Sequence, residues 1–201
     1  MVLSKIKDKL NPYTMSIVKQ LSQMGLYPWH LSFLSIIFAL SSLSVLYYYE
    51  HPSLYTLMAV LLFLLAGLMD ALDGALARYR DMVTSWGAFY DSFIDRTVEI
   101  IFIFGLLISA LISSIPAYLY IVTSILISYS RARAEGLGIS LSGIGIMERA
   151  ERIIILSLFI VLYIFVPFNL DLIIYILVLI NSITIIQRIY KVYTKSRSRY
   201  D

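Results

Sequence analysis

Four aspartates carry the chemistry that this chain can offer. Asp70 and Asp73 are three residues apart, and Asp91 and Asp95 are four apart. On helices, either spacing sets a pair of side chains on one face. The short stretch between the pairs makes their helices neighbours, so four carboxylates can converge. Such carboxylates repel one another, and divalent cations remove that conflict. A ligand set of carboxylate oxygens alone is hard and suits Mg²⁺ or Mn²⁺ rather than zinc. His30 and His51 lie away from the acids, and a lone histidine at a membrane edge reads as a solvated or capping residue. Gly74, Ala77 and Gly87 sit among the acids, where small side chains let a backbone or a flat ligand come close. Arg78 beside them can clamp a phosphate oxygen. Taken singly, each Gly or Ala reads as helix packing and each Asp as a solvated helix end. The joint spacing is what points to a site.

The elements that must position these residues follow from composition. Of 201 residues, 60% are hydrophobic and only 14% charged. An ordinary soluble domain is about 45–50% apolar and about 25% charged. This chain cannot cover itself with polar surface, so a water-soluble globular monomer is excluded. Six apolar runs, near 31–49, 53–72, 92–112, 116–134, 149–166 and 170–190, are each close to a membrane span and lack period-2 alternation. The expected fold is an all-α integral membrane protein with six transmembrane helices. Residues 1–201 then form a single membrane-embedded domain, with about 31–190 as the six-helix bundle. Residues 1–24 carry Leu3, Ile6, Leu10, Ile17, Val18 and Leu21 at roughly helical spacing among lysines. They read as an interfacial amphipathic helix and lack the continuous apolar stretch of a signal peptide. Short turns at Glu50-His51-Pro52, 113–116 and 167–169 separate some runs, and longer pieces lie near 78–91 and 135–148. There is no cysteine, hence no disulfide, thiolate metal site or Cys nucleophile.

The net charge of +3 comes from flanks rather than from a nucleic-acid surface, so no nucleic-acid partner is expected. All sixteen Lys and Arg fall in the N-terminus, the second and fourth inter-helix connections, the C-terminus, or the adjoining helix ends. By the positive-inside rule, both termini and any chemistry that uses these charges face the cytoplasm, in a multi-pass protein of the cell membrane.

The full pattern is Asp70-x-x-Asp73-Gly74-x-x-Ala77-Arg78-x8-Gly87-x-x-x-Asp91-x-x-x-Asp95. It resembles, at every fixed position, the signature of the CDP-alcohol phosphotransferase family, and the six-helix layout extends the likeness over nearly the whole chain. The resemblance implies transfer of a substituted phosphate from a CDP-linked donor to an alcohol, with release of CMP. It implies two divalent ions per active site, Mg²⁺ or Mn²⁺, bridged by Asp70 and Asp91 and completed by Asp73 and Asp95. Asp95 also becomes the base that takes the proton from the attacking hydroxyl. Donor contacts fall on Gly74, Ala77, Arg78, Thr84 and Gly87, and on Tyr27, Pro28, Trp29 and His30 before the first run. The phosphatidylinositol-phosphate synthase branch of the family often has Asp or Asn after this proline, where Trp29 stands here. Family members are often homodimers.

Arg131-Ala132-Arg133-Ala134-Glu135-Gly136-Leu137-Gly138, then Ile146-Met147-Glu148-Arg149-Ala150-Glu151-Arg152, and Gln187-Arg188, are similar to the phosphatidylinositol-phosphate synthases and their archaeal counterparts. That branch joins a CDP-linked lipid to inositol 1-phosphate. The arginines have their own logic. Arg131, Arg133, Arg149, Arg152 and Arg188 come from three helix ends, more positive charge than topology requires, and the surplus suits a dianionic phosphate. Glu135, Glu148 and Glu151 can pair with some of them. The Ile- and Tyr-rich, Cys-free composition leans towards a thermophile and an ether lipid. Two rivals remain: glycerol 3-phosphate or serine as acceptor, or a cation carrier. A carrier needs acids at the bilayer midplane with access from both sides.

Overall fold

The computed structural model describes residues 14–48 and 52–197, and every regular element among them is helical. The seven helices are α1 (residues 14–23), α2 (Pro28–Tyr47), α3 (Pro52–Tyr79), α4 (Ser85–Ile108), α5 (Ser114–Gly136), α6 (Arg149–Phe165) and α7 (Leu170–Arg197). The expected amphipathic segment is helical from residue 14; its first part, with Lys5, Lys7 and Lys9, lies outside the described residues, as do Glu50, His51 and Arg199.

Three helices, α2, α3 and α7, are long and apolar enough to cross a membrane. The other long helices differ for separate reasons. Helix α4 holds Asp91, Asp95, Arg96 and Glu99, α5 interleaves Ser, Thr and Tyr with its aliphatic residues, and α6 has only 17 residues. Helix boundaries also differ from the apolar runs. The second run was expected to end near residue 72, with a connecting piece near 78–91, yet α3 continues to Tyr79 and α4 begins at Ser85. At 1.5 Å per residue, the 28 residues of α3 reach roughly 42 Å, beyond the roughly 30 Å of a hydrocarbon core. Apolarity stops where lipid stops, whereas backbone hydrogen bonding continues to the next cap. At Asp81, φ is +54° and the Met82 N–H bonds the Ala77 carbonyl at 2.9 Å, a left-handed cap that ends α3. Thr84 then accepts from the Gly87 N–H at 3.0 Å and starts α4.

The chain divides into two compact units, residues 1–109 and 110–201. In the first, α2 packs on α3 and α4. Its face carries buried Ser32, Ser35, Ala39, Ser42 and Leu46 at helical spacing. Small residues allow close approach, and their hydroxyls bond across the gap: Ser35 Oγ donates to Ala66 O at 2.9 Å and Ser42 Oγ to Ala59 O at 2.8 Å. Phe63 of α3 stacks on Phe102 of α4 at 3.8 Å. Val18 of α1 is fully buried against Leu31, Leu72 and Leu76.

In the second unit, α7 packs on α5 and α6. Here polar side chains line the interior. Asn181 Nδ2 donates to Thr123 Oγ1 at 3.2 Å. At one end, Asp171 accepts from both the N–H and the hydroxyl of Ser113, which ties the start of α7 to the start of α5. Ile139 and Leu141 of the loop 137–148 pack with Ala134 of α5, and Ile144 and Val192 pack against them. The loop comes so near α7 that a Cβ on Gly145 would stand 2.5 Å from Thr184 Cγ2.

Candidate active site

Helices α3 and α4 place three of the four predicted acids together. Carboxylate oxygens of Asp70, Asp91 and Asp95 lie within 4.8 Å of one another, all half-buried. One turn further along α3, Asp73 is almost fully buried and accepts from Ser32 Oγ at 2.5 Å. Ser32 in turn sits in the first turns of α2, so this bond locks α2 to the acid-bearing end of α3. Arg96 Nη1 lies 3.2 Å from Asp95 Oδ2 and also donates to the Ser92 carbonyl. Three clustered carboxylate oxygens at this separation suit hard divalent cations.

The small residues do specific work around the acids. Arg78 folds back over Gly74, where a Cβ would lie 3.4 Å from Nη1. Gly87 leaves room for the Thr84 cap, because a Cβ there would approach Oγ1 to 3.1 Å. Ala77 is half-buried on α3, and Arg78 and Thr84 are exposed. The segment Tyr27-Pro28-Trp29-His30 starts α2. Pro28 takes the first helical turn, where its missing N–H costs nothing. His30 Nδ1 accepts from the Tyr27 N–H at 2.9 Å, the capping behaviour expected of an edge histidine. Trp29 stacks on His30 at 3.7 Å and is 59% exposed, free to meet a ligand.

The predicted phosphate-binding arginines fall into two kinds. Arg131 and Arg133, near the end of α5, are exposed, and Arg131 pairs with Glu135 at 2.9 Å as anticipated. Arg149 opens α6 and is half-buried. Arg152 is fully buried and donates from Nη2 to Ser124 Oγ at 2.9 Å. Arg188, also buried, donates to the carbonyls of Ile144 at 3.1 Å and Ile127 at 2.5 Å. Arg131, Arg152, Glu135 and Glu148 lie within electrostatic range of Arg188. Glu151 instead accepts from the Glu148 N–H and caps α6.

Sequence reasoning missed Ser32, Ser124 and the pairing of Arg96 with Asp95. Ser32 belongs to a helically spaced serine stripe that was legible in principle. Arg96 was read only as a topology signal.

Residues 25–190 match the CDP-alcohol phosphatidyltransferase family. The chain belongs to that family and is a transferase. It is 35% identical to the archaetidylinositol phosphate synthase of Pyrococcus horikoshii over 94% of this chain and 96% of that one. It is 39% identical to the archaetidylinositol phosphate synthase of Methanothermobacter thermautotrophicus over 65% of this chain and 67% of that one. Its fold is similar to the Mycobacterium tuberculosis phosphatidylinositol phosphate synthase crystallised with CDP-DAG, with a TM-score of 0.72 and 30% identity over 90% of this chain and 94% of that one. The same enzyme crystallised with manganese and citrate gives the same TM-score. Homologues that make inositol-phosphate lipids thus extend over most of the chain.

Proposed function

We propose that this enzyme transfers a lipid-bearing phosphate from a CDP-linked lipid to inositol 1-phosphate, forming an inositol-phosphate lipid and CMP. The observation that carries the reading is the convergence of Asp70, Asp91 and Asp95 on consecutive helices. The names of the relatives support inositol 1-phosphate as acceptor and an archaetidyl or phosphatidyl donor.

Asp70, Asp91 and Asp95, with Asp73 behind them, are the residues to hold two ions, Mg²⁺ or Mn²⁺. Bound there, divalent cations neutralise the donor diphosphate and the charge that develops as it breaks. The rest falls to side chains. Arg78 clamps a diphosphate oxygen, while Gly74, Ala77, Thr84 and Gly87, with Tyr27–His30, receive the nucleotide. Arg131, Arg133, Arg149, Arg152 and Arg188 hold the acceptor phosphate. The acceptor hydroxyl attacks the lipid-bearing phosphorus, the bond from that phosphorus to the CMP oxygen breaks, and the hydroxyl proton passes to Asp95. Arg96 keeps the Asp95 side chain in place for this.

We read the chain as one six-span membrane domain, with α1 lying at the interface. Both termini and the site face the cytoplasm of the cell membrane, as the one-sided distribution of Lys and Arg supports. A homodimer is the expected assembly.

The test offers purified enzyme CDP-archaeol or CDP-diacylglycerol, each with inositol 1-phosphate, free inositol, glycerol 3-phosphate or serine. CMP is the readout. Turnover with inositol 1-phosphate and little with free inositol is expected. Preference for glycerol 3-phosphate or serine overturns the acceptor, and no CMP from either donor overturns the reaction.

A further inference from the structure

One residue past the end of α3 stands a second arginine, Arg80, that the reaction does not use; its N–H still bonds the Leu76 carbonyl at 3.0 Å, so it continues the helical turn. Arg78 and Arg80 are two residues apart, which puts them about 200° apart around the helix. Arg78 turns back over Gly74, towards the acids. Arg80 turns to the other side and reaches α1. Its Nε donates to Ser22 Oγ at 2.9 Å and its Nη2 to the Ser22 carbonyl at 2.7 Å. Its guanidinium carbon also lies 5.1 Å from the centroid of the Tyr27 ring.

Three features make this a joint. Ser22 is in the last turn of α1, where the helix end attracts a cation, and its carbonyl accepts from the Gly25 N–H at 3.1 Å as well as from Arg80. The chain turns sharply just beyond it: Gly25 has φ of +76°, and the Leu26 N–H bonds back to the Leu21 carbonyl at 3.1 Å. Tyr27 then caps α2, whose Ser32 holds Asp73. A single guanidinium therefore grips both arms of the α1–α2 elbow, from the helix that carries Asp70 and Asp73. Lysine cannot reproduce this, because it has no planar fork to serve two acceptors and a ring together.

We propose that Arg80 is a positioning residue that fixes the α1–α2 elbow and so presents the start of α2 to the CDP-linked donor. The proposal rests on the donor-binding reading of Tyr27–His30. Fixing the elbow before binding removes an ordering cost from donor association and adds nothing to the chemical step. Its loss is a uniform-binding loss, seen in KM rather than kcat.

The experiment compares wild type, Arg80→Lys and Arg80→Ala in the full-length chain, with two readouts. In the CMP assay, Arg80→Ala raises donor KM about tenfold, with kcat within about threefold and acceptor KM unchanged. In backbone hydrogen exchange, peptides covering residues 20–31 exchange faster, while those in the middle of α3 do not change. Arg80→Lys moves both readouts the same way by less, and it serves alone if Arg80→Ala aggregates. A raised donor KM with unchanged exchange at 20–31 makes Arg80 a direct donor contact and overturns the proposal. So does faster exchange with an unchanged donor KM, or no change in either. A wild-type chain that releases no CMP sinks the functional reading instead; exchange does not depend on turnover and still tests the elbow.

Discussion

In the first unit, Asp70, Asp91 and Asp95 bring like charges within 4.8 Å of one another and leave them half-buried. In the second, Arg152 and Arg188 are buried, and they donate to Ser124 and to the carbonyls of Ile127 and Ile144. The acids form a cluster of a kind that could hold a metal ion. The two buried arginines are partly built into the protein and brace α5, α6, α7 and the loop 137–148. Removing an acid should therefore change chemistry and leave the fold, whereas removing a buried arginine should change both.

The largest effect falls on the acids. Asp70→Asn or Asp91→Asn should lower CMP release by about 10²–10³-fold or more, since each removes charge meant for bound cations at the reacting phosphate. The thermal midpoint should hold or rise, because a like-charge contact is relieved. EDTA should abolish activity, and Mg²⁺ or Mn²⁺ should restore it. Asp95→Asn should lose turnover yet still bind CDP-lipid, because the donor keeps its other contacts. Full activity in metal-free buffer would sink the carboxylate–cation reading.

The arginines come next. Arg188→Ala would remove the guanidinium that donates to the Ile144 carbonyl, at about 1–3 kcal/mol, whereas the Ile127 carbonyl keeps the Ser130 hydroxyl at 2.8 Å. A clear drop in thermal midpoint should therefore accompany a rise in acceptor KM. Arg152→Ala should behave alike. Arg131→Ala and Arg133→Ala, at exposed positions, should raise acceptor KM by over about tenfold with little change in midpoint and donor KM. If all four variants lose stability equally, the distinction between bracing and binding arginines is wrong.

This contrast shows what was legible in the sequence. The acid pairs at i, i+3 and i, i+4 foretold the meeting of Asp70, Asp91 and Asp95, because helix geometry and a short connection leave little choice, but not that Asp73 would turn to Ser32 instead. The apolar runs gave the existence and order of the helices, but not where α3 and α4 meet, because the caps at Asp81 and Thr84 lie within polar sequence. The fate of each arginine was not legible. Arg131 and Arg152 are the same residue type near helix ends, and only tertiary packing makes one exposed and the other fully buried. The serine stripe that includes Ser32 was legible, but its bond to Asp73 was not: the partner is 41 residues away, and no local pattern marks the pair.

A smaller effect tests how the buried acid is held. Ser32→Ala removes the hydroxyl that donates to Asp73 at 2.5 Å. A hydrogen bond to a charged group contributes about 1.5–3 kcal/mol. Donor kcat/KM should fall roughly tenfold, and Ser32→Thr, which keeps the hydroxyl, should recover most of it. Equal loss in both variants would point to packing of α2 on α3 instead of the hydrogen bond.

The smallest effect separates stability from binding at a single atom. Gly74 lies inside α3, where glycine is less favourable than alanine by about 0.5–1 kcal/mol. A Cβ there meets only the far end of Arg78, at 3.4 and 3.9 Å, which is ordinary contact with a flexible side chain. Gly74→Ala should therefore keep or slightly raise the thermal midpoint. If the nucleotide and Arg78 share this surface, the added methyl should still raise donor KM by a few-fold while acceptor KM stays put. Gly74→Leu should enlarge the donor defect without reversing its selectivity. The two readouts move in opposite directions only when the glycine is kept for the ligand. A gain in midpoint with unchanged donor KM in both variants would return Gly74 to a packing role and leave Ala77 and Arg78 as the donor contacts on that turn of α3.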